Sequence, residues 1–152
     1  MKAITASRDV NASADVVWGI LTDIEGSVDT IAAIEKIEIL SDDTTFGVGF
    51  AWRETRTMFG RTATEEMEVI EVTPGESYAV EADPDGSNYR SVMSVAATGA
   101  GTSTVSMEFS ADPKSAVSKL IGATVGRLFS GSMKKAIAAD LDDIAQEAEA
   151  TP

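Results

Sequence analysis

The apolar positions of this chain change period several times, and each change marks an element. From Lys2 to Val10 they alternate, with Ile4, Ala6 and Val10 on one face and Thr5, Ser7 and Asp9 on the other; Arg8 is the exception on the apolar side. That is the period of a strand. Asn11-Ala12-Ser13 breaks it. Ser13 suits a helix N-cap, and Asp15 falls in the first turn, where the helix dipole favours a carboxylate. Val17, Trp18, Leu21 and Ile24 recur at helical spacing, which predicts a helix over 14–23, stopped by Gly26, and a second short one over 27–33.

Strand periodicity returns at Ile37 and Ile39. It predicts further strands over 49–58, 61–73, 76–82, 89–98 and 102–110, divided by Phe59-Gly60, Pro74-Gly75, Pro84-Asp85-Gly86 and Gly99-Ala100-Gly101. Joints this short connect antiparallel neighbours. Asp112-Pro113 then opens a long helix, with Asp112 as cap and Pro113 in the first helical position. Val117, Leu120, Ile121, Thr124, Val125 and Leu128 form one stripe, continued by Ile137, Leu141, Ile144 and Ala148. The helix is expected over 113–147, kinked or interrupted at Ser130-Gly131-Ser132 and frayed from Glu147 onward.

Turn lengths fix which strand residues share a face. A two-residue turn at Phe59-Gly60 sets Trp52 opposite Met67, Glu54 opposite Glu65 and Arg56 opposite Ala63, with Arg53–Glu66, Thr55–Thr64 and Thr57–Thr62 on the other face. A turn over 84–87 sets Ala82 opposite Tyr89 and Tyr78 opposite Met93. A three-residue turn over 99–101 sets Met93 opposite Met107 and Val95 opposite Val105. The three hairpins agree on one apolar face: Phe50, Trp52, Met67, Val69, Tyr78, Val80, Tyr89, Met93, Val95, Val105, Met107 and Phe109. Glu54, Arg56 and Glu65 intrude on it near the Phe59-Gly60 end. Two opposed carboxylates on a half-buried face need a cation, which Arg56, diagonal to Glu65, is placed to supply. They form either a polar patch in a cavity wall or strand ends that meet solvent.

Composition narrows the chemistry. The 152 residues contain no cysteine and no histidine, so disulfides, thiolate nucleophiles and histidine-based catalysis or metal ligation are excluded. A net charge of −13 disfavours nucleic acid and anionic membranes. No apolar run approaches a membrane span and MKAITASRDV lacks the apolar core of a signal peptide, so a cytoplasmic protein without membrane insertion is expected. The 43% hydrophobic content suits a single globular domain over 1–152. The acidic run Glu35, Glu38, Asp42 and Asp43 has no EF-hand spacing and reads as solvated strand end and loop. No metal or cofactor is expected.

The order of elements, together with Val10-Asn11-Ala12-Ser13-Ala14-Asp15-Val16-Val17-Trp18 running to Leu21-Thr22-Asp23, and Val69-Ile70-Glu71-Val72-Thr73-Pro74-Gly75, resembles the START-like (SRPBCC) superfamily. Within it, the chain is most similar to the bacterial polyketide cyclase/dehydrase and lipid-transport-like proteins. The resemblance covers essentially the whole chain. It implies an α+β helix-grip fold: a curved antiparallel sheet of six to seven strands wrapped around a long C-terminal helix, with two short helices after the first strand. It also implies a cavity between sheet and helix. The chain departs from some members. It lacks the histidines of some enzymatic relatives, and Gly47-Val48-Gly49 is too short for the glycine-rich loop of the pollen-allergen group.

Three functions fit these readings. The first is binding of a small hydrophobic ligand (lipid, isoprenoid or aromatic, polyketide-like) by Trp52, Glu54, Arg56, Glu65, Met67, Tyr78, Tyr89, Met93, Met107, Leu120 and Thr124; the same residues equally suit a packed core. The second is a metal-independent cyclase or dehydratase with Glu54 and Glu65 as acid–base groups, Arg56 or Arg90 polarising a carbonyl and Tyr78 or Tyr89 donating a hydrogen bond. Arg90 neighbours Tyr89 on its strand and should point away. The third is a chaperone-activator-like interaction through the acidic surface, by a monomer or weak homodimer.

Overall fold

In the computed structural model, residues 3–58, 60–82, 89–111 and 122–151 are described; side chains at 58, 111 and 122–130 lie outside the description. Strand β1 (Ile4–Val10) leads into helices α1 (Ala14–Thr22) and α2 (Ser27–Thr30). Strands β2 (Ile34–Ile39), β3 (Ala51–Met58), β4 (Arg61–Thr73), β5 (Ser77–Ala82), β6 (Tyr89–Gly99) and β7 (Thr102–Ala111) follow, and then helix α3 (Gly122–Ala150). The strands make one seven-stranded antiparallel sheet in the order β1-β7-β6-β5-β4-β3-β2. This is the expected helix-grip architecture.

Local chemistry sets the joints. The Ser13 hydroxyl accepts from the Val16 amide at 3.3 Å and caps α1. At the other end the Asp23 carboxylate accepts from Gly26 N at 3.1 Å. A Cβ at residue 26 would collide with that carboxylate, so glycine lets the α1–α2 link close. Gly60, at φ +74°, turns β3 into β4 in the left-handed region that glycine enters freely.

The register matches the turn-length reading: Trp52 pairs with Met67, Glu54 with Glu65, Tyr78 with Met93 and Met93 with Met107. The turn expected over 84–87 lies outside the described residues, and the turn at 99–101 differs from the reading. Gly99 pairs with Thr102, and a register shift at Ala97/Gly99 absorbs the extra residue, so the upstream pairs keep their places. Strand β2 is longer than Ile37 and Ile39 alone suggested, because Ile34 also points into the core. The convex face carries cross-strand pairs: Ser7–Ser106 at 2.9 Å, Thr55–Thr64 at 3.0 Å, and Arg53 between Glu38 (2.9 Å) and Glu66 (2.8 Å). In water such pairs contribute little each.

Ile137, Leu141, Ile144, Ala145 and Ala148 bury one face of α3 in the same core as Val69, Val105, Val10 and Val17. Two expectations about this helix are corrected. It runs uninterrupted through Ser130-Gly131-Ser132. Gly131 is exposed and nothing lies within 4 Å of where its Cβ would be. A solvent-facing glycine weakens a helix by roughly 0.5–1 kcal/mol but does not break it. The C-terminal end is also ordered beyond Glu147. Ala148 is fully buried, Thr151 Oγ1 donates to the Glu147 carbonyl at 2.9 Å, and the Glu149 carboxylate accepts from Asn11 N at 2.9 Å. The expected opening at Asp112-Pro113, with Val117, Leu120 and Ile121, falls outside the described residues.

Candidate functional site

Among the described residues, two spaces lie against the concave face of the sheet. A small cavity of about 120 Å³ lies beneath α1 and α2, walled by Ile20, Leu21, Ile24, Ile31, Ile34, Trp52, Tyr78, Val80, Met93 and Ile144. A larger one of about 490 Å³ lies toward the β3–β4 turn, between Met67, Tyr89, Met107 and Phe109 of the sheet and Met133, Ala136 and Ile137 of α3. Glu54, Arg56, Met67, Ser91, Met107 and Asp140 line both, so the two spaces meet at one polar waist.

That waist is an ion cluster. The Arg56 guanidinium reaches Glu54 Oε2 through Nε at 3.1 Å and Asp140 Oδ2 through Nη1 at 2.8 Å. Trp52 Nε1 donates to the other Glu54 oxygen at 3.3 Å. Glu54 and Asp140 are both buried. One cation thus ties the middle of β3 to α3. Burial works against the charge on Arg56, but the two carboxylates outweigh it and hold its pKa above the ordinary value. For Asp140 burial wins over the attraction of Arg56, and its pKa is raised.

The sequence placed Arg56 as the cation between the opposed Glu54 and Glu65, and its pairing with Glu54 is present. Its second partner is not Glu65 but Asp140, a residue the sequence reading passed over. The signal for Asp140 was present: it lies three residues after Ile137 and four before Ile144, on the apolar stripe itself, where a carboxylate has no reason to be without a partner. Arg8, the charged exception on the inner side of β1, is explained in the same way by Asp142, at 3.3 Å.

The other candidates fall as follows. Trp52, Met93 and Tyr78 line the smaller cavity and Met67 and Met107 both. The Tyr78 hydroxyl is committed: it donates to the Leu21 carbonyl at 2.9 Å, and burial, then Glu54, raise its pKa. It contributes a ring wall, not a free donor. Tyr89 lines the larger cavity and stacks on Phe109, 5.4 Å between ring centroids. Arg90 points to the convex face, where it meets Glu71 at 3.2 Å. Leu120 lies outside the described residues, and so does the side chain of Thr124. In the acidic run, Glu38 pairs with Lys36 and Arg53, and Asp43 accepts from Thr45 N. Among the described residues no group of three or more acidic side chains is arranged to hold a metal ion.

Glu65 stands apart. It projects into the larger cavity, and among the described residues it makes no ion pair or side-chain hydrogen bond. Burial, then repulsion from Glu54, raise its pKa against the pull of Arg56. A carboxyl whose folded pKa exceeds its unfolded one contributes stability at low pH that is lost as pH rises through the folded value. Ionised Glu65 is therefore a cost at neutral pH. We expect Glu65→Gln to raise the Tm at pH 7, with the gain shrinking as pH falls from the raised folded value toward the ordinary glutamate value of ~4.3. A Tm at pH 7 equal to or below the parent's would show that the carboxylate is better compensated than its surroundings indicate.

The larger cavity thus sets apolar walls beside charged side chains and narrows at an ion-paired waist. Comparison with solved structures finds the same fold. The aromatase/cyclase ZhuI from Streptomyces sp. R1128 matches 97% of this chain and 93% of its own at 20% identity, with a TM-score of 0.73. A START superfamily protein from Mycobacterium smegmatis matches 95% and 97% at 14% identity, with a TM-score of 0.76. Norcoclaurine synthase from Thalictrum flavum, in complex with dopamine and hydroxybenzaldehyde, matches 99% and 88% at 22% identity, with a TM-score of 0.71. No curated protein matches the sequence. Residues 1–149 match the family described as polyketide cyclase / dehydrase and lipid transport, and the chain belongs to that family.

Proposed function

We propose that the protein binds a small, largely apolar molecule between the sheet and α3. The observation that carries this reading is the cavity of about 490 Å³ whose described walls set methionines, aromatic rings and Ile137 beside the charged Glu54, Arg56, Arg61, Glu65 and Asp140. Ligand sites commonly enclose ~300–1,000 Å³ with few polar groups among apolar ones. Met67, Met107 and Met133 supply soft, adaptable walls. A family that spans polyketide cyclases and lipid transport supports the same class of ligand. So does a fold shared with an aromatase/cyclase and with a synthase seen with two aromatic ligands.

Nile red, a neutral apolar dye, tests the cavity. Trp52 borders the smaller space beside the shared waist, whereas Trp18 lies outside both cavities, edge-on to Tyr78 at 6.1 Å. Titration should change the tryptophan emission of the parent and of Trp18→Phe, and much less that of Trp52→Phe. Absence of binding at micromolar dye, equivalent to about −8 kcal/mol, by the folded protein would remove the main support for a ligand site.

A cyclase or dehydratase reading draws on one further observation. Glu65 is a carboxyl with a raised pKa inside an apolar cavity that also presents Arg56, a pairing suited to general acid–base chemistry. The two carboxylates paired with Arg56 favour binding over catalysis, since they offset the charge with which the guanidinium would polarise a carbonyl.

A further inference from the structure

We infer that the larger cavity selects an apolar, ring-bearing molecule with a protonated amine, and that Glu65 receives the ammonium group. The inference rests on the ligand-binding reading above and specifies its charge.

Among the described residues, the charges around the cavity are unbalanced. Three carboxylates, Glu54, Glu65 and Asp140, face it together with Arg56 and Arg61. Arg56 is spent on Glu54 and Asp140, leaving that cluster at one net negative charge before Glu65 is added. Arg61 is solvent-exposed at the end of β4. It is four residues from Glu65 along an extended strand, roughly 13 Å at about 3.3 Å per residue. Glu65 itself stands opposite Glu54 across the β3–β4 ladder, where like charges repel. A ligand cation beside Glu65 would relieve both that repulsion and the cost of half-burying an anion. It would gain a charge-assisted hydrogen bond in a low-dielectric setting.

The walls favour the same ligand. The stacked Tyr89–Phe109 pair and Met107 line the cavity with Glu65, giving a surface for a ring and aromatic faces toward a cation. An anionic ligand meets the opposite situation. Even through the remaining Nη2 donors of Arg56, it would stand among three carboxylates, Glu54, Glu65 and Asp140, two of which already offset that cation.

The test uses three molecules of one shape: 2-naphthylmethylamine, 2-naphthylmethanol and 2-naphthoate, titrated calorimetrically at pH 7 into the full chain. The amine should bind at least tenfold more tightly than the alcohol, and the carboxylate most weakly. Glu65→Gln should reduce amine affinity about tenfold and leave the alcohol within about twofold. Glu68→Gln, which removes an exposed carboxylate from the opposite face of β4, should change neither by more than about twofold. Equal affinity for amine and alcohol, preference for the carboxylate, or equal loss of amine and alcohol in Glu65→Gln would overturn the charge assignment while leaving the binding site standing. If none of the three binds, while the parent is folded by circular dichroism, both readings fall together.

Discussion

Arg56→Met should destabilise the protein by about 3–5 kcal/mol, the usual cost of removing one partner from a buried ion pair. The substitution keeps the aliphatic stem but leaves Glu54 and Asp140 buried with no cation, and it cuts the ionic link between β3 and α3. Without Arg56, Asp140, already raised by burial, favours the protonated form more strongly in the folded state. The variant's folded state then binds more protons than its unfolded state, and its deficit is largest at neutral pH and narrows as pH falls. Urea unfolding at pH 7.5 and pH 5 checks magnitude and sign together. Adding Glu54→Gln and Asp140→Asn to Arg56→Met should recover much of the loss, because the penalty lies in the stranded charges. A loss below about 1 kcal/mol in the single variant, independent of pH, would mean that water already solvates the waist.

Leu141→Ala should cost a similar amount, about 3–5 kcal/mol, and by different physics. Leu141 is 1% exposed and borders neither cavity, so truncation creates a void that closely packed neighbours cannot close. Met133→Ala is the contrast. Met133 is also buried, but it sits on the wall of a space that already exists, so its truncation enlarges a cavity instead of opening one. It should fall at or below the low end of the buried-methionine range, about 2 kcal/mol. Equal losses at the two positions, measured by denaturant unfolding, would indicate that α3 packs as tightly over the larger cavity as over the core.

Much of this architecture was legible because hairpins make register local. Phe59-Gly60 alone fixes Trp52 against Met67 and Glu54 against Glu65, and both pairs stand as read. The inward intrusion of Glu54, Arg56 and Glu65 was equally visible, but whether they met solvent or a cavity was not. That depends on where α3 crosses the sheet, a contact between Arg56 and Asp140, which lie 84 positions apart in the chain. Asp140 could have been found as a charge on an apolar stripe, yet nothing local names its partner. The misjudged break at Gly131 came from reading a glycine without knowing its face. On the solvent side of a helix anchored by its other face, tertiary packing overrides propensity. Leu120 and the side chain of Thr124 lie outside the described residues and remain expectations of the stripe alone.

The second half of α3 is tied to the chain at several separate places. Among the described residues its polar links are Asp140 to Arg56, Asp142 to Arg8, Asp143 to Ala32 N and Glu149 to Asn11 N. They reach β3, β1, the α2–β2 link and the β1–α1 link. Stitched to four places, the stretch from Asp140 to Glu149 cannot rotate about its own axis without breaking several links at once. The aim of Asp140 at Arg56 is thus locked by more than the pair itself: its neighbours act as rivets that set the azimuth of the helix against the sheet.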